Sequence, residues 1–141
     1  MTKEIWINLP VKNVAVSKAF FTQLGFKFNT EHGDTTDSAC MIVGEKNVAV
    51  MLFEESMLKG FLKNEITDTA KSNEMMLSFD AQSKEEIDEM AQKAEVAGAN
   101  VFSKPAEIQG WMYGFAFADP DGHRWNMLYM DMGKMPKKIN N

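Results

Sequence analysis

The feature that most constrains this chain is an internal repeat. Two stretches with the same order of elements start about 70 residues apart, half of the 141-residue length. In the first, residues 4–9 alternate and are rich in Ile and Trp, which predicts a strand. Asn13 can cap a helix whose apolar positions Val16, Phe20 and Leu24 recur at helical spacing, and Gly25 stands where a left-handed cap belongs. Strands are expected at residues 26–30, 39–43 and 48–53, with polar turns around 32–37 and 44–47. The second stretch repeats this with a strand at 74–80 and a capping box, Ser83-Lys84-Glu85-Glu86. Ile87, Met90, Ala91, Ala94 and Ala97 then share one helical face, which Gly98 ends. Three strands follow, at 100–103, near 113–118 and at 124–130, with the turn Asp119-Pro120-Asp121-Gly122 between the last two. Each half therefore reads strand–helix–three strands. Neither half has a comfortable core alone, so the two sheets should pack or join.

The expected fold class is α+β: two βαβββ modules forming a curved, mostly antiparallel sheet cup with helices on the outer face. Residues 1–131 make one domain, with repeat one at about 4–53, a connector at 54–73 and repeat two at about 74–131. Residues 132–141 form a flexible tail. Met57, Leu58, Phe61 and Leu62 make the connector a short amphipathic helix, either covering the core edge or acting as a lid.

Composition narrows the function. Apolar residues make up 45% and charged residues 25%, a globular mix. The longest strictly apolar run, 48–53, is too short to span a membrane, and the opening Met1-Thr2-Lys3-Glu4 is not followed by an apolar leader. A cytoplasmic protein without a membrane partner is expected. The net charge of −5 argues against nucleic acid, because phosphate neutralisation needs a basic surface. The one basic cluster, Lys134, Lys137 and Lys138, reads as a solvated terminus. Cys40, the single cysteine, can form no internal disulfide or thiolate cluster. Twelve methionines suit either irregular cores or adaptable pockets. No glycine-rich phosphate loop, nucleophile elbow or Cys-x-x-Cys occurs.

Four motifs, in order within the two repeats, carry a resemblance. They are Leu9-Pro10-Val11-Lys12-Asn13-Val14, the helix end Phe20-Phe21-Thr22-Gln23-Leu24-Gly25-Phe26, Ala97-Gly98-Ala99, and Phe117-Ala118-Asp119-Pro120-Asp121-Gly122-His123. Over roughly residues 4–131 the chain resembles the vicinal-oxygen-chelate superfamily of glyoxalase I, bleomycin-resistance proteins and extradiol dioxygenases. Within it, the chain looks like the bacterial group labelled predicted lactoylglutathione lyases. The resemblance implies four metal-ligand positions, one on each of four strands facing a shared cup. Here they fall on Trp6, Met51, Glu74 and Asn126. Only Glu74 is a good ligand for a divalent cation, whereas a catalytic metal normally takes three protein ligands. No metal and no cofactor are therefore expected. The resemblance also implies a homodimer.

Period-two alternation sorts the strands into two faces. Ile5, Ile7, Leu9, Val48, Val50, Leu52, Met75, Leu77, Phe79, Trp125, Met127 and Tyr129 form a uniformly apolar face expected under the helices. The opposite face, with Trp6, Asn8, Met51, Phe53, Glu74, Met76, Ser78 and Asn126, mixes large apolar and polar groups as a small-molecule pocket does. There Glu74 is the candidate acid or base, or else a solvated group at a strand end. His123 is expected to stabilise its turn, His32 to be exposed, and Cys40 to be a small buried packer. Trp111-Met112-Tyr113-Gly114-Phe115 fits a pocket rim, a core segment or a dimer interface.

Three functions follow. One is metal-independent binding or sequestration of a small ligand at Trp6, Met51, Glu74 and Asn126. Another is a lyase or isomerase of the lactoylglutathione lyase type, using Glu74 as acid/base or metal ligand. The third is a dimeric protein with no small-molecule role.

Overall fold

The computed structural model describes residues 1–137; Lys138 and the last three residues of the expected tail lie outside the described residues. Packing divides the chain into two compact units. The first holds Met1–Glu74 together with Asp119–His123, and the second holds Met75–Ala118 and the described residues from Arg124 onward.

In the first unit, β1 (Trp6–Val11), α1 (Val14–Gln23), β2 (Lys27–Asn29), β3 (Ser38–Val43) and β4 (Val48–Glu54) are followed by α2 (Glu55–Leu62). The sheet order is β1-β4-β3-β2, parallel between β1 and β4 and antiparallel elsewhere. Asn13 starts α1 as its spacing implied: the side-chain oxygen accepts the Val16 N–H at 3.1 Å. Gly25, at φ 95°, then turns the chain out of the helix. Leu9, Val11, Ala39, Met41, Val50 and Leu52 are buried on one sheet face, and Phe20, Phe21 and Leu24 of α1 are buried with them. The Phe21 ring meets Phe20 and Phe26 edge-on, with centroids 5.0 and 5.8 Å away. Burying each such side chain contributes about 1.5–3 kcal/mol, so this interface is what holds the short β2 and β3 in place.

The second unit repeats the plan with β5 (Met76–Asp80), α3 (Lys84–Val96), β6 (Asn100–Ile108), β7 (Met112–Ala118) and β8 (Arg124–Met130), then a 3₁₀ turn, Met132–Lys134. Its order is β5-β8-β7-β6, again with one parallel pair, β5 with β8. Ser83 caps α3 by accepting the Glu86 N–H, and the Glu86 carboxylate accepts the Gln82 N–H at 2.8 Å. Phe115, Phe117, Trp125 and Met127 are buried together with Ile87, Ala91 and Ala94 of α3. Two open, four-stranded mixed sheets with three α-helices make the fold α+β, as the repeat predicted.

Several boundaries differ from the sequence reading. β1 runs two residues further than expected, through Pro10, because it is a sheet edge where a missing N–H breaks no ladder. β5 begins at Met76, so Glu74 and Met75 precede the strand. β6 extends to Ile108 with two register shifts; it too is an edge strand, which accommodates Pro105. Ile5, Val48 and Met75, expected under helices, are exposed because they lie at or just beyond strand ends. The connector does form a helix, anchored by the buried Leu58, and Lys63 ends it at φ 56°.

Although it comes from the second repeat, the turn Asp119–His123 is built into the first unit. Asp121 accepts the Lys12 N–H at 2.8 Å through one carboxylate oxygen and the buried Ser17 hydroxyl at 3.0 Å through the other. The Thr69 hydroxyl donates to the Asp121 carbonyl at 2.6 Å, and the Asn73 amide to the Gly122 carbonyl at 3.0 Å. The His123 imidazole donates through Nε2 to the Pro10 carbonyl at 2.6 Å. Edge strand, connector and turn are thereby fastened together.

Candidate functional site

Trp6 and Met51 lie on one face of the first sheet. Trp6 is opposite Ala49, while Met51 is opposite Asn8 on β1 and Cys40 on β3. Trp6 opens the edge strand and is 58% exposed. Met51 is half-buried, and Gly33, at φ 74°, lets the β2–β3 loop close on it: a Cβ at Gly33 would stand 2.9 Å from the Met51 methyl. On the same face, the Phe61 ring of α2 packs edge-on against Phe53 with centroids 5.4 Å apart. The connector helix thus covers the Phe53 end of this face, while Phe61 itself stays largely exposed.

Asn126, half-buried on β8, lies opposite Ser78 of β5 and Ala116 of β7. The Ser78 hydroxyl donates to its side-chain oxygen. That face of the second sheet also carries Met76, Arg124, Leu128 and Met130, over a floor of the buried Gly114, Ala116 and Ala118. Gly114 is required there, because a Cβ would run into Leu128. The Arg124 guanidinium lies over the Phe102 ring at 4.4 Å.

Glu74 is exposed, in a bend ahead of β5. Expected on a strand among apolar groups, it stands in solvent. The structure thus gives it the solvated position at a strand end.

The donor set at these four positions does not fit a divalent metal. The Trp6 indole is a hydrogen-bond donor only, Met51 supplies a soft thioether, and the Asn126 amide oxygen, a weak neutral ligand, already accepts from the Ser78 hydroxyl. Among the described residues, no three His, Cys, Asp or Glu side chains come together as ligands.

The remaining candidates sort by burial. Cys40 is buried, which pushes its thiol pKa up and disfavours the nucleophilic thiolate. His32 is exposed; His123 is buried in its turn. Trp111 and Met112 border a depression of about 10 Å³ with Lys84, Glu107 and Tyr129, too small for more than a water molecule. Sequence reasoning missed a polar cleft of about 220 Å³ in the first unit, lined by Pro10, Lys12, Glu55, Ile66–Thr69 residues, Asp121 and His123. Its only advance signal was the Asp-Pro-Asp-Gly turn, which announces a reversal of the chain but not what the reversal packs against. Among the described residues, no helix is long and apolar enough to cross a membrane.

The comparisons with known proteins fit this architecture. Residues 5–127 match the Glyoxalase/Bleomycin resistance protein/Dioxygenase superfamily, and the chain belongs to it. A hypothetical protein from S. aureus is similar at 31% identity, over 92% of this chain and 95% of its own, with a TM-score of 0.82. A glyoxalase/bleomycin resistance protein/dioxygenase family enzyme from Burkholderia phytofirmans shares the fold at 18% identity, over 89% of this chain and 96% of its own (TM-score 0.74). So does the fosfomycin resistance protein FosX from Listeria monocytogenes, at 18% identity over 94% of this chain and 97% of its own (TM-score 0.66). Among curated proteins no sequence matches.

Proposed function

We propose that this chain binds a small, partly apolar molecule on the mixed faces of its sheets, and does so without a divalent metal. The observation that carries the reading is the bond from Ser78 to Asn126. With one hydrogen bond already accepted by its oxygen, the Asn126 amide keeps its N–H donors to offer, and the Trp6 indole offers only an N–H. A position that gives donors suits acceptor oxygens on a ligand and repels a cation. Met51 and Phe53 supply adaptable apolar contact on the sheet that carries Trp6. Binding or sequestration therefore fits these residues better than a lyase or isomerase reaction at Glu74, whose carboxylate is exposed ahead of β5. The reading includes a homodimer, as the family resemblance implies, and a cytoplasmic place, as the composition suggests.

A thermal-shift screen with glutathione adducts, antibiotics and aromatic acids tests it. At least one compound should raise the Tm of the wild type, and Trp6→Ala should abolish that shift while leaving the circular dichroism unchanged. A hit that survives Trp6→Ala, or Glu74-dependent turnover of a glutathione hemithioacetal, would overturn it.

A further inference from the structure

We infer that the end of β8 and the turn after it form a soft-metal site for a monovalent cation such as Cu(I) or Ag(I), built from Met130, Met132 and Met135. The sequence there reads Met130-Asp131-Met132-Gly133-Lys134-Met135. Thioethers are neutral, soft donors that select Cu(I) over zinc or manganese. Three of them within six residues, all on the surface, are not core filling: Met130 is 41%, Met132 63% and Met135 47% exposed.

The backbone spaces them along one strand end and one turn. Asp131 is fixed to the second sheet by its N–H, which donates to the Trp111 carbonyl at 2.8 Å. Its carboxylate accepts the Gly133 N–H at 3.1 Å and caps the 3₁₀ turn. Lys134 N–H donates to the Asp131 carbonyl at 3.0 Å and Met135 N–H to the Met132 carbonyl at 3.4 Å. In a 3₁₀ turn, side chains three apart eclipse, with a rise of about 2.0 Å per residue. Met132 opens the turn and Met135 caps it in extended backbone, three residues apart, and Met130 lies two residues back at the strand end. Met112, the cross-strand partner of Met130, offers a fourth thioether on the same sheet face. The long, unbranched arms let sulfurs converge on an ion with little backbone cost. Asp131 sets a negative charge at the centre of the motif against Lys134, whose ammonium lies 4.0 Å from it.

The proposed ligand reading calls for no metal at Trp6, Met51, Glu74 and Asn126, whereas this site takes its donors from the far end of β8 and the turn beyond it, Met130 sharing a sheet face with Asn126. Ag(I) is the redox-stable probe. With ¹³C-methyl-methionine labelling, one equivalent of Ag(I) should shift the methyl resonances of Met130, Met132 and Met135, and native mass spectrometry should show a single bound ion. Met132→Leu should weaken binding at least tenfold. Met75→Leu, which alters an exposed methionine elsewhere, should leave it unchanged. Zn(II) and Mn(II) should move none of these resonances. Unshifted resonances at the three residues, or equal affinity in Met132→Leu and the wild type, would overturn the site. Met132 is exposed and its replacement close in volume, so the variant tests binding rather than folding.

Discussion

Two hairpin turns occupy the same place in the two repeats, and they are built differently. Between β3 and β4, residues 44–47 are exposed, closed by one bond from Asn47 N–H to the Gly44 carbonyl at 3.1 Å. Between β7 and β8, Asp119 and His123 are buried, and the turn exchanges hydrogen bonds with Pro10, Lys12, Ser17, Thr69 and Asn73. The first turn only reverses the chain, whereas the second fastens an edge strand, a helix and the connector. A repeat in sequence thus copies the backbone plan without copying the share of stability each copy carries.

The largest expected effect is at Asp121. Asp121→Ala leaves the buried Ser17 hydroxyl and the Lys12 N–H without their acceptor, a cost of about 2–4 kcal/mol and a Tm drop of roughly 10 °C. In the other turn, Glu45→Ala should stay within about 0.5 kcal/mol of the wild type. Equal losses in urea melts of the two variants would erase the contrast.

The glycines sharpen it. Gly122 and Gly44 have nearly the same left-handed backbone, φ 80° and 76°. At Gly44 a methyl group would meet nothing, so Gly44→Ala should cost only the backbone strain, about 1 kcal/mol. At Gly122 the new Cβ would stand 2.9 Å from Thr69 Cβ and closer still to its hydroxyl, adding a clash. Gly122→Ala should therefore cost about 2–3 kcal/mol, and less in a Thr69→Ala background, where part of the clash is gone. Additive losses in that double-mutant cycle would contradict the clamp.

The smallest effect belongs to the surface pair Lys84–Glu107, at 2.6 Å, which ties α3 to β6. The hydrogen bond and charge of Lys84 hold the Glu107 carboxyl below its ordinary value, and those of Glu107 hold the Lys84 ammonium above its own. The Glu107 contribution is thus present above the ordinary carboxylate range and fades as pH falls through the lowered value. The Lys84 contribution is present below the ordinary lysine value and fades as pH rises through the raised one. Lys84→Met should flatten the stability profile slightly at both ends and barely move the Tm at neutral pH, because both groups are solvated.

Much of the fold was legible because short-range chemistry specifies it. Asn13 and Ser83 cap the helices where their spacing placed them, and Gly25 and Gly98 end them in left-handed backbone. Strand ends were less legible: β1 and β6 run on through Pro10 and Pro105, which only their places at sheet edges allow. The site was legible only as positions. Alternation placed Met51 and Asn126 on the mixed faces, but it also placed Glu74 on a strand that begins two residues later. The Ser78–Asn126 bond depends on the register of β5 against β8, a pairing between segments 48 residues apart that no local pattern encodes.

Metal-free ligand binding is the central claim, and a binding isotherm with the compound found by thermal shift tests it most directly. Chelator-treated protein is titrated with that compound alone and then with added Zn(II), Ni(II) or Mn(II). The account predicts the same affinity throughout and no first-row divalent metal retained after dialysis. Binding that appears only with the added metal, and is lost in Glu74→Gln, would contradict it.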